Sequence, residues 1–199
     1  MPLSEGKFEE QIDTLKEVAN IGTGNAINAL SQLLGRGISM KVPVANLVEF
    51  KDAANFLGGP ERLVVGVLVS ISGELNGMIM FLVKRESANS LLDILLGKME
   101  RTESFSEMEL STLTEVGNIL VSSYLNSLAA MLSKKISLSV PSLAADMANS
   151  ILSVPAIEFG KVADKALFIE SVFEAKDEEV SGYFIFVPDM PSFEAMFRI

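Results

Sequence analysis

The sequence predicts an α+β protein. Two pseudo-twofold halves, each helix–strand–strand–strand, should place their strands in one shared sheet with two long helices on one face. Three observations predict this. The 199-residue chain matches itself at an offset of 98 residues. Each half runs from a long stretch with helical period into short apolar runs of strand character. The 49% apolar content suffices for one large core or two small halves that share one.

The self-match is ungapped from Asp13–Pro43 onto Ser111–Pro141, with 13 identities in 31 positions. Thr14/Thr112, Leu15/Leu113, Glu17/Glu115, Val18/Val116, Asn20/Asn118 and Ile21/Ile119 form the dense part. Asn28/Asn126, Leu30/Leu128, Leu34/Leu132, Ile38/Ile136, Ser39/Ser137, Val42/Val140 and Pro43/Pro141 continue it. A period near 100 is too long for a solenoid unit. The reading is a single domain over 1–199 made of two repeats, about 8–97 and 106–199.

The elements follow in order. Long helices are predicted over 8–35 and 106–134. The second opens at Ser106, with Glu109 completing an S-x-x-E capping box. A strand then leads to each proline, ISMKVPVANLVEF in the first half and ISLSVP in the second. LVVGVLVSI and GMIMFLV, joined through SGELNG, are the next strands; ALFIESVF and YFIFV, joined through EAKDEEVSG, are their counterparts. SANSLLDILLG reads as a short helix ending at Gly97, with SFEAMFRI as its counterpart. SLAADMANSIL, residues 142–152, reads as an amphipathic helix where the first half has only DAANFLGG. KMERTESFSE, 98–107, is the polar joint, too short to separate independent domains.

Composition removes several classes of function. A formal charge of −10 makes nucleic acid and anionic lipid poor partners. Cysteine is absent, which excludes disulfides and thiolate chemistry. Histidine is absent too, which removes the commonest general base and metal ligand. MPLSEGKFEE lacks the apolar core of a secretory leader, and runs such as MIMFLV fall short of the ~18 residues of a spanning helix. A soluble, cytoplasmic protein without membrane insertion is expected.

EVANIGTGN, 17–25, suggests a phosphate loop and fails as one. Ile27 stands where a third glycine should, and no strand precedes it. Gly22 and Gly24 read instead as sites where a neighbouring backbone packs close.

At ~100° per residue, Ser111, Glu115, Asn118 and Ser122 form one stripe, and Leu110, Leu113, Val116, Leu120, Tyr124 and Leu128 another. In the first copy Asp13, Glu17 and Asn20 line up, with Ile12, Leu15, Val18, Ala19 and Leu30 turned away. Each helix therefore offers a carboxylate and a carboxamide three residues apart. A solvated face accounts for one such pair, and common descent accounts for part of the repetition. Retention of outward polar residues in both copies favours a role. A carboxamide is a poor base and nucleophile, yet it can hold a water by one accepted and one donated hydrogen bond. That suffices where a partner carries the metal and the phosphoryl group.

The repeated [D/S]-x-x-x-E-x-x-N, with proline 23 residues later, is Asp13, Glu17, Asn20, Pro43 and again Ser111, Glu115, Asn118, Pro141. It resembles the CheC/CheX/FliY family of response-regulator phosphatases, and its two complete copies resemble the CheC branch. The resemblance covers nearly the whole chain. It implies hydrolysis of the phospho-aspartate of phosphorylated CheY. Asn20 and Asn118 would orient the attacking water, and Glu17 and Glu115 would bridge to a regulator lysine. Asp13 and Ser111 would support them, while Pro43 and Pro141 would only shape the chain. The chain would need no cofactor of its own, because Mg²⁺ comes with the regulator. CheD is implied as a second partner, with Asp146 in the helix read over AADMANSIL as the contact; a packed helix with a solvated aspartate is the plainer reading. The alternative function is a non-catalytic CheY- and CheD-binding adaptor or flagellar-switch-like scaffold. A self-sufficient phosphoesterase would need a metal cage, and no clustered Asp/His set is visible. The stronger site and the oligomeric state stay open at this point.

Overall fold

The computed structural model describes residues 17, 20–32, 37, 39–41, 44–97, 104–159, 164–175 and 178–197. Asp13, Pro43, the apolar positions Ile12, Leu15, Val18 and Ala19, and joint residues 98–103 lie outside them. The first helix, α1, covers residues 20–32, and Glu17 is helical as well. β1 (Ser39–Met40), β2 (Val44–Glu49), a 3₁₀ turn (Phe50–Asp52), α2 (Ala53–Phe56), β3 (Leu63–Gly73), β4 (Gly77–Lys84) and α3 (Arg85–Leu96) complete the first half. α4 (Glu107–Met131), β5 (Ile136–Leu138), β6 (Ser142–Met147), α5 (Ala148–Phe159), β7 (Lys165–Ala175), β8 (Glu178–Pro188) and α6 (Met190–Phe197) make the second.

Among the described residues, eight strands form one sheet along the path β1–β7–β8–β4–β3–β5, with β2 also on β7 and β6 also on β3. These pairings are all antiparallel. The hairpins β3–β4 and β7–β8 are local, and β4–β8 joins them at the centre. The outer strands cross over. β1 and β2 pair with β7 of the second half, and β5 and β6 pair with β3 of the first. A common sheet was expected; the exchange of its edges between halves was not.

The central stretches of the inner strands are apolar, and both faces of the sheet are buried there. Side-chain alternation divides them. Val65, Val69, Ile79, Phe81, Leu167, Ile169, Phe184 and Phe186 face a core with Ala26 and Leu30 of α1, Leu91 and Leu92 of α3, Val116 and Leu120 of α4, and Met196 of α6. Val64, Leu68, Met80, Leu82, Phe168 and Ile185 face a second core with Leu57 and with Ile151 and Leu152 of α5. Both long helices thus lie on one face, as expected, with α2 and α5 covering the other.

α4 is placed firmly at its start. The Ser106 hydroxyl accepts from the Glu109 amide at 3.3 Å, and a Glu109 carboxylate oxygen accepts from the Ser106 amide at 2.7 Å. This reciprocal cap, foreseen from the S-x-x-E spacing, contributes about 1 kcal/mol. The edge strand β1 is tied down by charge. Glu174 and Glu179 stand directly opposite each other on β7 and β8, and Lys41 bonds to both carboxylates. That pairing holds the Lys41 ammonium above its usual range and the Glu179 carboxyl below its own.

Two expectations are corrected. Residues 142–152 are not one helix. Ser142–Met147 is β6, in register with Leu68 down to Leu63, and the helix begins only at Ala148. The helix-forming residues of LAADMA are overruled because this segment completes the ladder on β3. Asp146 therefore sits on an edge strand, opposite Val64. The single strand expected over ISMKVPVANLVEF is likewise two strands, β1 and β2, while of ISLSVP only Ile136–Leu138 is strand, β5.

Candidate functional site

α4 lies on the sheet through Gly117. A Cβ there would stand 2.5 Å from Val67 Cγ2 and 2.6 Å from its Cβ, so only glycine allows this approach. Leu113, Val116, Leu120, Val121, Tyr124, Leu125 and Leu128 are buried with it. The other side of α4 carries the polar stripe. Ser111 and Glu115 are exposed, and Asn118 and Ser122 are partly exposed. Glu17, just before α1, and Asn20 at its start are both exposed, while Gly22, Ala26 and Leu30 of α1 are buried. The fold thus leaves one acid–amide pair accessible on each long helix.

α1 and α4 touch directly. A Cβ on Gly22 would stand 2.9 Å from the Cα of Tyr124, so the glycine admits a neighbouring backbone, as its position suggested. Gly24 does not serve that purpose: a Cβ there meets nothing within 4 Å. Tyr124 fills the space beside Gly22 and stacks on Phe184 at 5.7 Å between centroids. Its hydroxyl is buried without a partner among the described residues, and burial pushes the phenol well above its usual range. Asn25 Nδ2 donates to Ser127 Oγ at 3.2 Å, a further link between the two helices.

The sequence put Ser122 in the outward stripe without giving it a task. In the structure its hydroxyl donates to Asn118 Oδ1 at 3.3 Å. Ile21, directly after Asn20, is 46% exposed, an apolar neighbour of the first amide that sequence periodicity does not single out. Asp146 is exposed, and its Oδ1 accepts from the Met147 amide at 2.7 Å. Among the described residues, no group of three His, Cys, Asp or Glu could hold a metal ion. No described helix is long and apolar enough to cross a membrane.

An α/β/α sandwich with one antiparallel sheet, displaying an acid–amide pair on each of two adjoining helices, is the class of protein that the fold and the patches define. The sequence model of the CheC-like family matches this chain twice, at residues 10–47 and 108–144. The CheY-P phosphatase CheC of Bacillus subtilis is 34% identical over 99% of this chain and 97% of its own length. The chain belongs to the CheC-like family. Among solved structures, FliY of Thermotoga maritima superposes with a TM-score of 0.73 at 23% identity, covering all of this chain and 97% of that one. CheX in the CheX–CheY–BeF3–Mg complex of Borrelia burgdorferi gives a TM-score of 0.51 at 18% identity, over 83% of this chain and 95% of that one.

Proposed function

We propose that this chain is a protein phosphatase that hydrolyses the phospho-aspartate of phosphorylated CheY. The observation that carries this reading is the accessible acid–amide pair on each long helix, in a chain 34% identical to a CheY-P phosphatase along its length. A carboxamide positions a water and does little else, so the site needs a substrate that brings its own charge stabilisation. The CheX complex holds CheY with BeF3 and Mg²⁺, in keeping with a metal that arrives with the regulator. Asn20 and Asn118 are the water-orienting groups. Glu17 and Glu115, one helical turn before them, pair with a cationic side chain of the regulator and set its register. Ser111 borders the second patch, and Asp13 has the same sequence position in the first. The two halves are repeats of one unit within a single domain, which the double match of the family model supports. A cytoplasmic location follows from the proposed substrate.

The direct test is the decay of phosphorylated CheY with and without this chain. Equal decay in both would refute the reading. The glutamates have their own test. Glu17→Lys combined with Glu115→Lys should raise the CheY-P concentration giving half-maximal rate on the order of tenfold, with kcat changed far less. An unaltered concentration dependence would remove the docking role.

CheD is proposed as a second partner, at Asp146. The carboxylate is exposed on edge strand β6 and borders a cleft of about 280 Å³ lined by Leu63, Val65, Phe105 and Leu110. A charged residue beside an apolar recess suits a protein contact. Asp146→Lys should weaken CheD binding by at least about tenfold in calorimetric titration. Identical affinity for the two chains would exclude this surface.

A further inference from the structure

We infer that Ser122 is a positioning residue that fixes the amide of Asn118, and that its absence from the first copy makes the two sites unequal in rate. The inference rests on the proposed phosphatase reading.

Three other hydroxyls of α4 behave as hydroxyls in a helix usually do. Thr112 Oγ1 donates to the Met108 carbonyl at 2.8 Å, Thr114 Oγ1 to the Leu110 carbonyl at 2.8 Å, and Ser127 Oγ to the Ser123 carbonyl at 2.9 Å. Ser122 departs from this habit. Its hydroxyl turns to the side chain four residues back and donates to Asn118 Oδ1. An amide has two faces, and a rotation about its last bond exchanges donor for acceptor. The bond from Ser122 restrains that rotation, and in this structure it holds Oδ1 towards the hydroxyl. Oδ1 keeps a second lone pair, and Nδ2 keeps its two donors, so the amide can still accept from one water hydrogen and donate to an oxygen. Ser122 is itself partly exposed and stands in line with Ser111, Glu115 and Asn118.

The residue 98 positions earlier is Gly24. It offers no hydroxyl to Asn20. Its surroundings are open: a Cβ added there would have no atom within 4 Å, and its φ is not positive. A serine side chain fits there without displacing anything. Among the described residues the Asn20 amide has no counterpart of the hydroxyl that holds Asn118. Pre-orientation of a group that must aim a water raises the turnover step without tightening substrate capture.

The experiment isolates each site in the full chain and measures hydrolysis of phosphorylated CheY over a range of its concentration. With Asn20→Ala silencing site one, Ser122→Ala should lower kcat about three- to tenfold, the worth of one neutral hydrogen bond. KM should change by less than about twofold. Ser122→Thr, which keeps the hydroxyl, should restore kcat. With Asn118→Ala silencing site two, Gly24→Ser should raise kcat by a similar factor. Gly24→Ala should not, although it strengthens the helix more than serine does. Unchanged kcat in Ser122→Ala, or a Thr variant as slow as the Ala one, would overturn the positioning role. A Gly24→Ser chain no faster than Gly24→Ala would overturn the claim that the hydroxyl distinguishes the sites. Full activity in the double asparagine variant would instead refute the water-orienting role of the amides on which both rest, and only an unaltered chain that leaves the decay of phosphorylated CheY unchanged would refute the phosphatase reading.

Discussion

With Asn20 and Asn118 both changed to alanine, the decay of phosphorylated CheY in the presence of this chain should fall back to the regulator's own rate. The chain-dependent part should drop on the order of 10²-fold or more, because the two amides are the groups that aim the water at the phosphoryl group. Stability should hardly change. Asn20 is exposed and Asn118 partly exposed, and alanine is the better helix former by roughly 0.6 kcal/mol at each position. Circular dichroism would show the fold intact while the rate is lost. Each single variant should keep the activity of the remaining site. A double variant with undiminished rate would show that the amides do not carry the chemistry.

The second large effect concerns packing. Gly117→Leu should destabilise the chain by about 3 kcal/mol or more, since the new Cβ would stand 2.5 Å, 2.6 Å and 3.0 Å from three atoms of Val67. Val67 is β-branched and stiff, and it is buried within the sheet, so it has little freedom to yield. For a chain of this size the melting temperature should fall by roughly 6–12 °C. Gly24→Ala is the contrasting case, with open space around its Cβ and an expected gain of up to about 1 kcal/mol. Thermal melts of the two variants separate a glycine needed for close approach from one that is not. Equal melting temperatures would contradict the packing described for α4.

Much of this architecture was legible in the residues alone. The long apolar runs of β3, β4, β7 and β8 announced themselves because strands buried on both faces need no polar alternation. The cap at Ser106 and Glu109 was readable because capping chemistry is local. The outward stripe of α4 followed from periodicity alone. What escaped was non-local. LAADM has helical propensity and becomes a strand only because β3 offers an unpaired edge, which no window around residue 146 reveals. The exchange of β2 and β6 between halves is likewise a matter of pairing at long range. The role of Ser122 escaped for a different reason: its place on the helix was readable, but its choice of the Asn118 side chain over a backbone carbonyl is a rotamer decision.

The crossed edges of the sheet have a consequence for how the molecule comes apart. Residues before the joint hold the outer strand of the β7–β8 hairpin, and residues after it hold the outer strand of the β3–β4 hairpin. Neither part can be released without stripping a border from the other, and a severed fragment would present raw, sticky margins to its neighbours. Melting should therefore be all-or-none, and the two acid–amide patches, however unequal in speed, survive or perish together.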